Sequence, residues 1–185
     1  MNKGKLIIIS GPSGAGKGTV LAEVFLRMPD LKYSVSATTR SPRPGEVHGV
    51  QYYFISKEDF ENRIQQGEML EYAEYCGNYY GTPLGFVEEQ RVSGKNIVLE
   101  KEPCGAMQVM KKCPDAMSIF ILPPSVEELR RRLSGRGTEP KEVVEARIAK
   151  AIEEMAQKDE YDFAVVNDTV YRAAEEIEKI IKNNF

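Results

Sequence analysis

Apolar residues gather in short runs along the chain, at 6–9, 97–99, 118–122 and 163–166, and the runs are short and rich in branched side chains. Between them, polar and apolar positions alternate with a helical period. Continuous apolar runs separated by helices are what a parallel sheet covered on both faces requires, because each strand is buried above and below. The pattern predicts helices over 17–28, 84–93, 103–112, 126–133, 140–158 and 170–182. Ser125-x-x-Glu128 ahead of Leu129 reads as a capping box, and Pro123-Pro124 ends the strand before it.

The stretch 33–82 breaks the alternation. It predicts short strands at 33–36, 52–55 and 69–75 around one helix at 57–66, opened by the capping box Ser56-x-x-Asp59. Tyrosines are dense here, beside Arg40, Arg43, Glu46, Glu71 and Glu74, more polar groups than a core insertion needs. Placed between the first and second core strands, such a mixed sheet suits a hinged flap that binds an acceptor. A second mobile element is expected where Arg130-Arg131-Arg132 leads to Ser134-Gly135-Arg136-Gly137-Thr138.

The first apolar run breaks directly into Gly11-Pro12-Ser13-Gly14-Ala15-Gly16-Lys17-Gly18-Thr19. This satisfies G-x-x-x-x-G-K in its required setting, between a strand and a helix. Glycines let consecutive backbone N–H groups turn inward around an anion, and the following helix adds its own N-terminal N–H groups. Lys17 is placed to reach terminal phosphates, so the expected ligand is a nucleoside triphosphate. The hydroxyl that usually follows the lysine and ligates Mg²⁺ is replaced by Gly18, leaving Thr19 or a water for that role. Glu100, at the carboxyl end of the run 97–99, is where an acidic group meets Mg²⁺ opposite such a loop.

Composition narrows the alternatives. With 185 residues, 42% hydrophobic and 29% charged, the chain suits one α/β core with small insertions. A net charge of -3 argues against nucleic-acid or membrane-surface partners. No apolar run approaches the ~20 residues of a membrane helix, and 6–9 is too short for a secretory segment, so a cytoplasmic location is expected. Cys76, Cys104 and Cys113 lack C-x-x-C spacing, indicating neither zinc nor a disulfide framework, and each reads as a partly buried structural residue. His48 is the one histidine and reads as a surface-loop residue, without a nucleophile signature beside it.

Further segments stand in order along nearly the whole chain: Ser10-Gly11-Pro12-Ser13-Gly14, Ser36-Ala37-Thr38-Thr39-Arg40-Ser41-Pro42-Arg43, Gly45-Glu46, Gly49-x-x-Tyr52 and Gly77-Asn78-Tyr79-Tyr80-Gly81-Thr82. They continue with Pro123-Pro124-Ser125, Gly135-Arg136-Gly137-Thr138-Glu139 and Val166-Asn167-Asp168. Together these residues resemble the guanylate kinase family. The resemblance implies a three-layer α/β P-loop fold: a parallel-sheet core (about 1–32, 83–124 and 159–185), an inserted mixed α+β GMP-binding flap (33–82) and a helical lid (125–158). It implies Mg²⁺-dependent phosphoryl transfer from ATP to GMP, with dGMP a secondary acceptor.

By that resemblance Arg40, Arg43, Tyr52 and Tyr80 bind the GMP phosphate, the arginines through planar forks suited to phosphate oxygens. Glu71 accepts from guanine N1–H and N2–H₂, Ser36 and Thr82 face O6, and Glu46 and Glu102 belong to the GMP side. Arg132, Arg136, Arg147 and Asn167 belong to the donor side, with Lys17, Arg43, Arg136 and Arg147 catalytic. The acceptor phosphate, with a second pKa of about 6, is already largely ionised at neutral pH and needs no general base. Positioning and charge compensation are what the reaction asks for. Two other readings stay open: a kinase of another small phosphorylated acceptor, and a non-catalytic module of the same fold. Such modules typically lose the phosphate-loop lysine, and Lys17 is present. The oligomeric state is left open.

One segment departs from the family. Where the family reads acidic, Ile or Val, acidic, any residue, Gln-Gly, this chain has Glu100-Lys101-Glu102-Pro103-Cys104-Gly105. Strand alternation directs Glu100 and Glu102 to the cleft and Lys101 to the packed side. There its ammonium must reach water or find an acidic partner.

Overall fold

The structure, a computed structural model, describes residues 3–134 and 140–184. Leu6–Ser10 (β1) is fully buried, with Ile7 and Ile9 packed on one face and Leu6 and Ile8 on the other. This two-sided burial explains why the run shows no polar alternation. β1 pairs in parallel with Ile97–Glu100 (β7) on one side and Met117–Leu122 (β8) on the other. Lys32–Tyr33 (β2) flanks β7, and Phe163–Val166 (β9) flanks β8. Among the described residues the core sheet therefore has five strands, in the order β2-β7-β1-β8-β9.

Helices cover both faces. Lys17–Arg27 (α1) and Val170–Asn183 (α7) pack Val20, Leu21, Val24, Ile177 and Ile181 against Ile7 and Ile9. Leu84–Val92 (α3) and Pro103–Lys112 (α4) pack Val87, Ala106 and Val109 against Leu6 and Ile8. Val126–Ser134 (α5) and Lys141–Met155 (α6) form their own cluster of Leu129, Leu133, Val144 and Ile148. The helix expected over 140–158 is shorter, because Ala156–Glu160 tightens into a 3₁₀ turn.

The inserted segment carries a second sheet. Ala37–Thr38 (β3), Tyr53–Phe54 (β4), Met69–Tyr75 (β5) and Asn78–Pro83 (β6) run in the order β4-β3-β6-β5, around Lys57–Gln65 (α2). Phe60 of α2 stacks on Tyr79 and seals a cluster with Ala37 and Met69.

Four expectations need correction. The strand expected at 33–36 is two strands: β2 belongs to the core sheet, and only β3 opens the second one. The insertion therefore lies between β2 and β7, not between the first and second core strands. Both residues of β2 are exposed at a sheet edge, so no apolar signature marks them. β6 carries no strand signal in the sequence, being polar, glycine-containing and closed by Pro83. It pairs antiparallel with β5 through the two-residue turn Cys76-Gly77, whose positive φ values of 49° and 73° match the twist of a tight hairpin. The cysteines also differ: Cys76 and Cys104 are exposed, and only Cys113 is buried, which pushes its thiol pKa up. Among the described residues no helix is long and apolar enough to cross a membrane.

Candidate active site

Parallel strands bring their carboxyl ends to one edge, where loops from several strands meet. The phosphate loop follows β1, Glu100 closes β7, and Asn167 follows β9. Gly16 caps α1 at φ 87°, and a Cβ there would lie 2.5 Å from Asn167 Nδ2. Only glycine allows the loop to turn and to sit this close to β9. Asn167 Nδ2 donates to Ala15 O at 2.8 Å, tying the loop to β9, while its buried Oδ1 has no hydrogen-bond partner among the described residues.

Lys17, the first residue of α1, folds back under the loop. Its Nζ donates to Gly11 O at 2.7 Å, to Pro12 O at 3.3 Å and to Glu102 Oε1 at 3.1 Å. Gly18 and Thr19 are exposed beside it, and a side chain at position 18 would begin 3.9 Å from Glu100 Oε1. Burial raises the Glu100 pKa, opposed by the nearby charge of Lys17. A carboxylate in this state gains most from a cation beside it.

Two arginines from α5 and α6 reach the loop. Arg147 Nη2 donates to Ser13 Oγ at 2.8 Å. Arg132 donates to Ala15 O at 3.3 Å and to Asn167 O at 3.0 Å, and Glu128 braces it through Nε at 2.8 Å. Arg131 and Arg132 together hold the Glu128 carboxyl down at about 2. Arg136 lies outside the described residues.

In the second sheet, Arg40 Nη2 pairs with Glu46 Oε1 at 2.9 Å, and Glu46 Oε2 accepts from the Arg43 backbone N–H at 2.7 Å. Glu46 thus braces both the Arg40 guanidinium and the loop that carries Arg43. The Arg40 guanidinium lies 5.7 Å from the centroid of the Tyr52 ring, which meets Tyr80 edge to face at 6.0 Å. Arg40, Tyr52 and Tyr80 form one group, with the exposed Arg43 at its margin. His48 is exposed, its Nδ1 accepting from Phe54 N–H at 3.2 Å.

Glu71 on β5 and Thr82 on β6 are direct cross-strand neighbours. The Thr82 hydroxyl donates to Glu71 Oε1 at 2.7 Å, and both residues are buried. Gly105, in the first turn of α4, brings that helix against them: a Cβ there would come within 3.1 Å of Glu71 Oε2.

Lys101 reaches the same place. Strand β7 stops at Glu100, so alternation does not govern the next two residues. Instead of facing the packed side, Lys101 places its ammonium 2.8 Å from Glu71 Oε1 and 2.8 Å from Ser36 Oγ. It is an acidic partner that Lys101 finds, one of the two outcomes open from its sequence. Glu102 diverges from Glu71: it precedes α4, with its side chain 60% exposed and its oxygen on Lys17. The sequence carries no signal for the Lys101–Glu71 pair, one member lying just beyond the end of β7 and the other on β5 of the second sheet.

The family model for guanylate kinase matches residues 3–184. A guanylate kinase of Lactococcus lactis subsp. lactis is 54% identical over 180 residues, covering 97% of this chain and 88% of the relative. One from Rubrobacter xylanophilus is 53% identical over 182 residues, covering 98% and 95%. The crystal structure of guanylate kinase from Anaplasma phagocytophilum superposes with a TM-score of 0.76 at 33% identity, covering 99% of this chain and 87% of that one. A phosphate loop with its lysine, an inserted mixed sheet with a buried carboxylate, and this similarity across the chain agree: the chain belongs to the guanylate kinase family and is a nucleoside monophosphate kinase.

Proposed function

We propose that the chain transfers the γ-phosphoryl group of ATP to GMP, giving ADP and GDP, and secondarily to dGMP, giving ADP and dGDP, in the cytoplasm. The observation that carries this reading is the buried carboxylate of Glu71, braced by Thr82 inside the inserted sheet. A carboxylate accepts from both N1–H and N2–H₂ of guanine. Adenine offers neither donor at those positions, and an unpaired buried acceptor is the kind of site that rejects an analogue by ~10⁴-fold.

Arg40, oriented by Glu46, takes the GMP phosphate together with Arg43, Tyr52 and Tyr80. The acceptor oxygen is already ionised, so the protein has to aim it and to offset charge. Lys17 exchanges the carbonyls of Gly11 and Pro12 for phosphate oxygens. The loop from Gly11 to Thr19 wraps the donor phosphates with its N–H groups, Pro12 having none, while Arg132, Arg147 and Arg136 compensate charge from the lid and Asn167 Oδ1 offers an acceptor to the adenine amine. Closure of the flap (33–82) and lid (125–158) on the core excludes water and suppresses hydrolysis.

Mg²⁺ fits the residues present. It needs few protein ligands beside substrate phosphates, and Glu100 supplies a carboxylate of raised pKa facing the open space at Gly18. Glu100, with Thr19 or a water, would hold it. When bound, it neutralises charge on the donor phosphates.

A coupled assay of ADP formation with GMP, AMP, CMP and UMP tests the reading. Turnover with GMP far above the others is expected. Preference for another acceptor would overturn the guanine assignment, and no turnover with any would favour a non-catalytic module.

A further inference from the structure

The Lys101 ammonium sits inside the pocket assigned to the base, where it changes what the pocket can read. Its Nζ donates to Glu71 Oε1 and to Ser36 Oγ, each at 2.8 Å, and its side chain is only 10% exposed. Glu71 Oε1 also accepts from Thr82 Oγ1 at 2.7 Å. A carboxylate oxygen has two lone-pair sites, so these two donors fill Oε1 and leave Oε2 for a ligand. Guanine's paired N1–H and N2–H₂ donors want both oxygens. Glu102, the other acid expected on the guanine side, is engaged with Lys17.

The donor side of the pocket is fixed by the same cation. An ammonium has three donors and no acceptor, so Ser36 Oγ must accept from Lys101 and its one hydrogen is left to point elsewhere. Thr82 spends its hydrogen on Glu71. Ser36 O–H and the remaining Lys101 N–H are thus both offered to an acceptor on the base, and the 6-oxo oxygen of a purine is one. A 6-amino group would bring further donors against the ammonium.

We propose that Lys101 is a specificity-determining residue of the acceptor site, making it select 6-oxopurine nucleoside monophosphates as a class. The 6-oxo group and N1–H are read strongly, and the 2-amino group weakly. Inosine monophosphate, which differs from GMP only in lacking that amine, is then an acceptor as well. This inference rests on the assignment of Glu71, Ser36 and Thr82 to the base.

The test compares kcat/KM for GMP, inosine monophosphate and AMP in the wild type, Lys101→Met and Ser36→Ala, with thermal unfolding as a check on folding. The wild type is expected to use inosine monophosphate within about tenfold of GMP, far from the 10⁴-fold rejection of a site that pairs every donor. In Lys101→Met, Glu71 recovers both oxygens, and the ratio of GMP to inosine monophosphate should rise by about tenfold or more. A general loss of structure would lower both rates together and leave the ratio alone. Ser36→Ala should narrow the preference for GMP over AMP, and it serves as the second probe if Lys101→Met does not fold. Strong rejection of inosine monophosphate by the wild type, or an unchanged ratio in a Lys101→Met protein that still unfolds cooperatively, overturns the role of Lys101 while leaving the GMP reading intact. Equal use of GMP and AMP by the wild type overturns the base-pocket reading itself.

Discussion

Lys17 and Glu102 join the phosphate loop to α4: the phosphate-loop ammonium lies 3.1 Å from the carboxylate of Glu102, which precedes the helix whose Gly105 lies against Glu71. Lys17 is 8% exposed and Glu102 60%, so the pair is weak enough to open when phosphates compete for the lysine. On the proposed assignment of Lys17 to ATP and Glu102 to GMP, donor binding releases an acid on the acceptor side.

Removing each partner should have a distinct signature. Lys17→Ala is expected to lower kcat by about 10²–10³-fold, the scale of one lost charge-stabilising donor, with unfolding still cooperative. Glu102→Gln frees Lys17 and should lower the ATP KM by no more than about fivefold, corresponding to ~1 kcal/mol for a half-exposed pair. The GMP KM should move the other way. Initial-rate measurements with each substrate varied in turn check both. Near-wild-type turnover in Lys17→Ala would remove the lysine from the chemistry.

Lys101 and Glu71 form a buried pair, and breaking one half leaves the other charge uncompensated. Lys101→Met or Glu71→Gln alone should destabilise by up to ~3–5 kcal/mol, and the double variant should recover much of the loss. A double-mutant cycle in denaturant unfolding reads the coupling, expected at ~3 kcal/mol or more, the cost of one uncompensated buried charge. Additive losses would mean that the two groups do not interact in solution. Kinetically, Glu71→Gln should raise the GMP KM more than the ATP KM.

The contrast between Lys101 and the core strands shows what a sequence can carry. β1, β7 and β8 are written as apolar runs because each is buried on both faces, while β9, at the sheet edge, buries Val165 and exposes Ala164 and Val166. The phosphate loop is likewise local, its glycines, lysine and helix start being contiguous. Neither condition holds in the inserted sheet. β3 and β4 are two residues each, β6 is polar, and a cysteine rather than a glycine takes the first position of the β5–β6 turn. The Lys101–Glu71 contact depends on β7 ending at Glu100 and on two sheets meeting, which no local pattern encodes. The departure of Lys101 from the family was visible, and its partner was not.

Asn167 offers a test of donor recognition. Its Nδ2 is committed to Ala15 O, while the buried Oδ1 is free to accept. Asn167→Ala should raise the ATP KM by the equivalent of about 1–3 kcal/mol, through a lost hydrogen bond and a loosened loop. The GMP KM should change little. Equal effects on both substrates would assign Asn167 to the fold alone.

Glu46 ties the Arg40 orientation to pH. Its carboxyl is held below the usual value of 4.5, chiefly by the hydrogen bond from Arg40 and then by the Arg43 N–H. A lowered folded-state pKa contributes stability that is fully present above the unfolded value and is lost as pH falls through the folded one. The melting temperatures of wild type and Glu46→Gln should therefore differ at neutral pH and converge as pH falls below about 4.5. At neutral pH the variant should raise the GMP KM. A difference that persists in strong acid would mean that Glu46 acts through packing and not through its charge.

Quantifying every nucleotide after wild-type enzyme has acted on ATP and GMP tests the central claim most directly, by separating transfer from hydrolysis. ADP and GDP should appear in equal amounts, with little ADP when GMP is left out. ADP without matching GDP, or the same ADP yield with AMP in place of GMP, would contradict phosphoryl transfer to a guanine nucleotide.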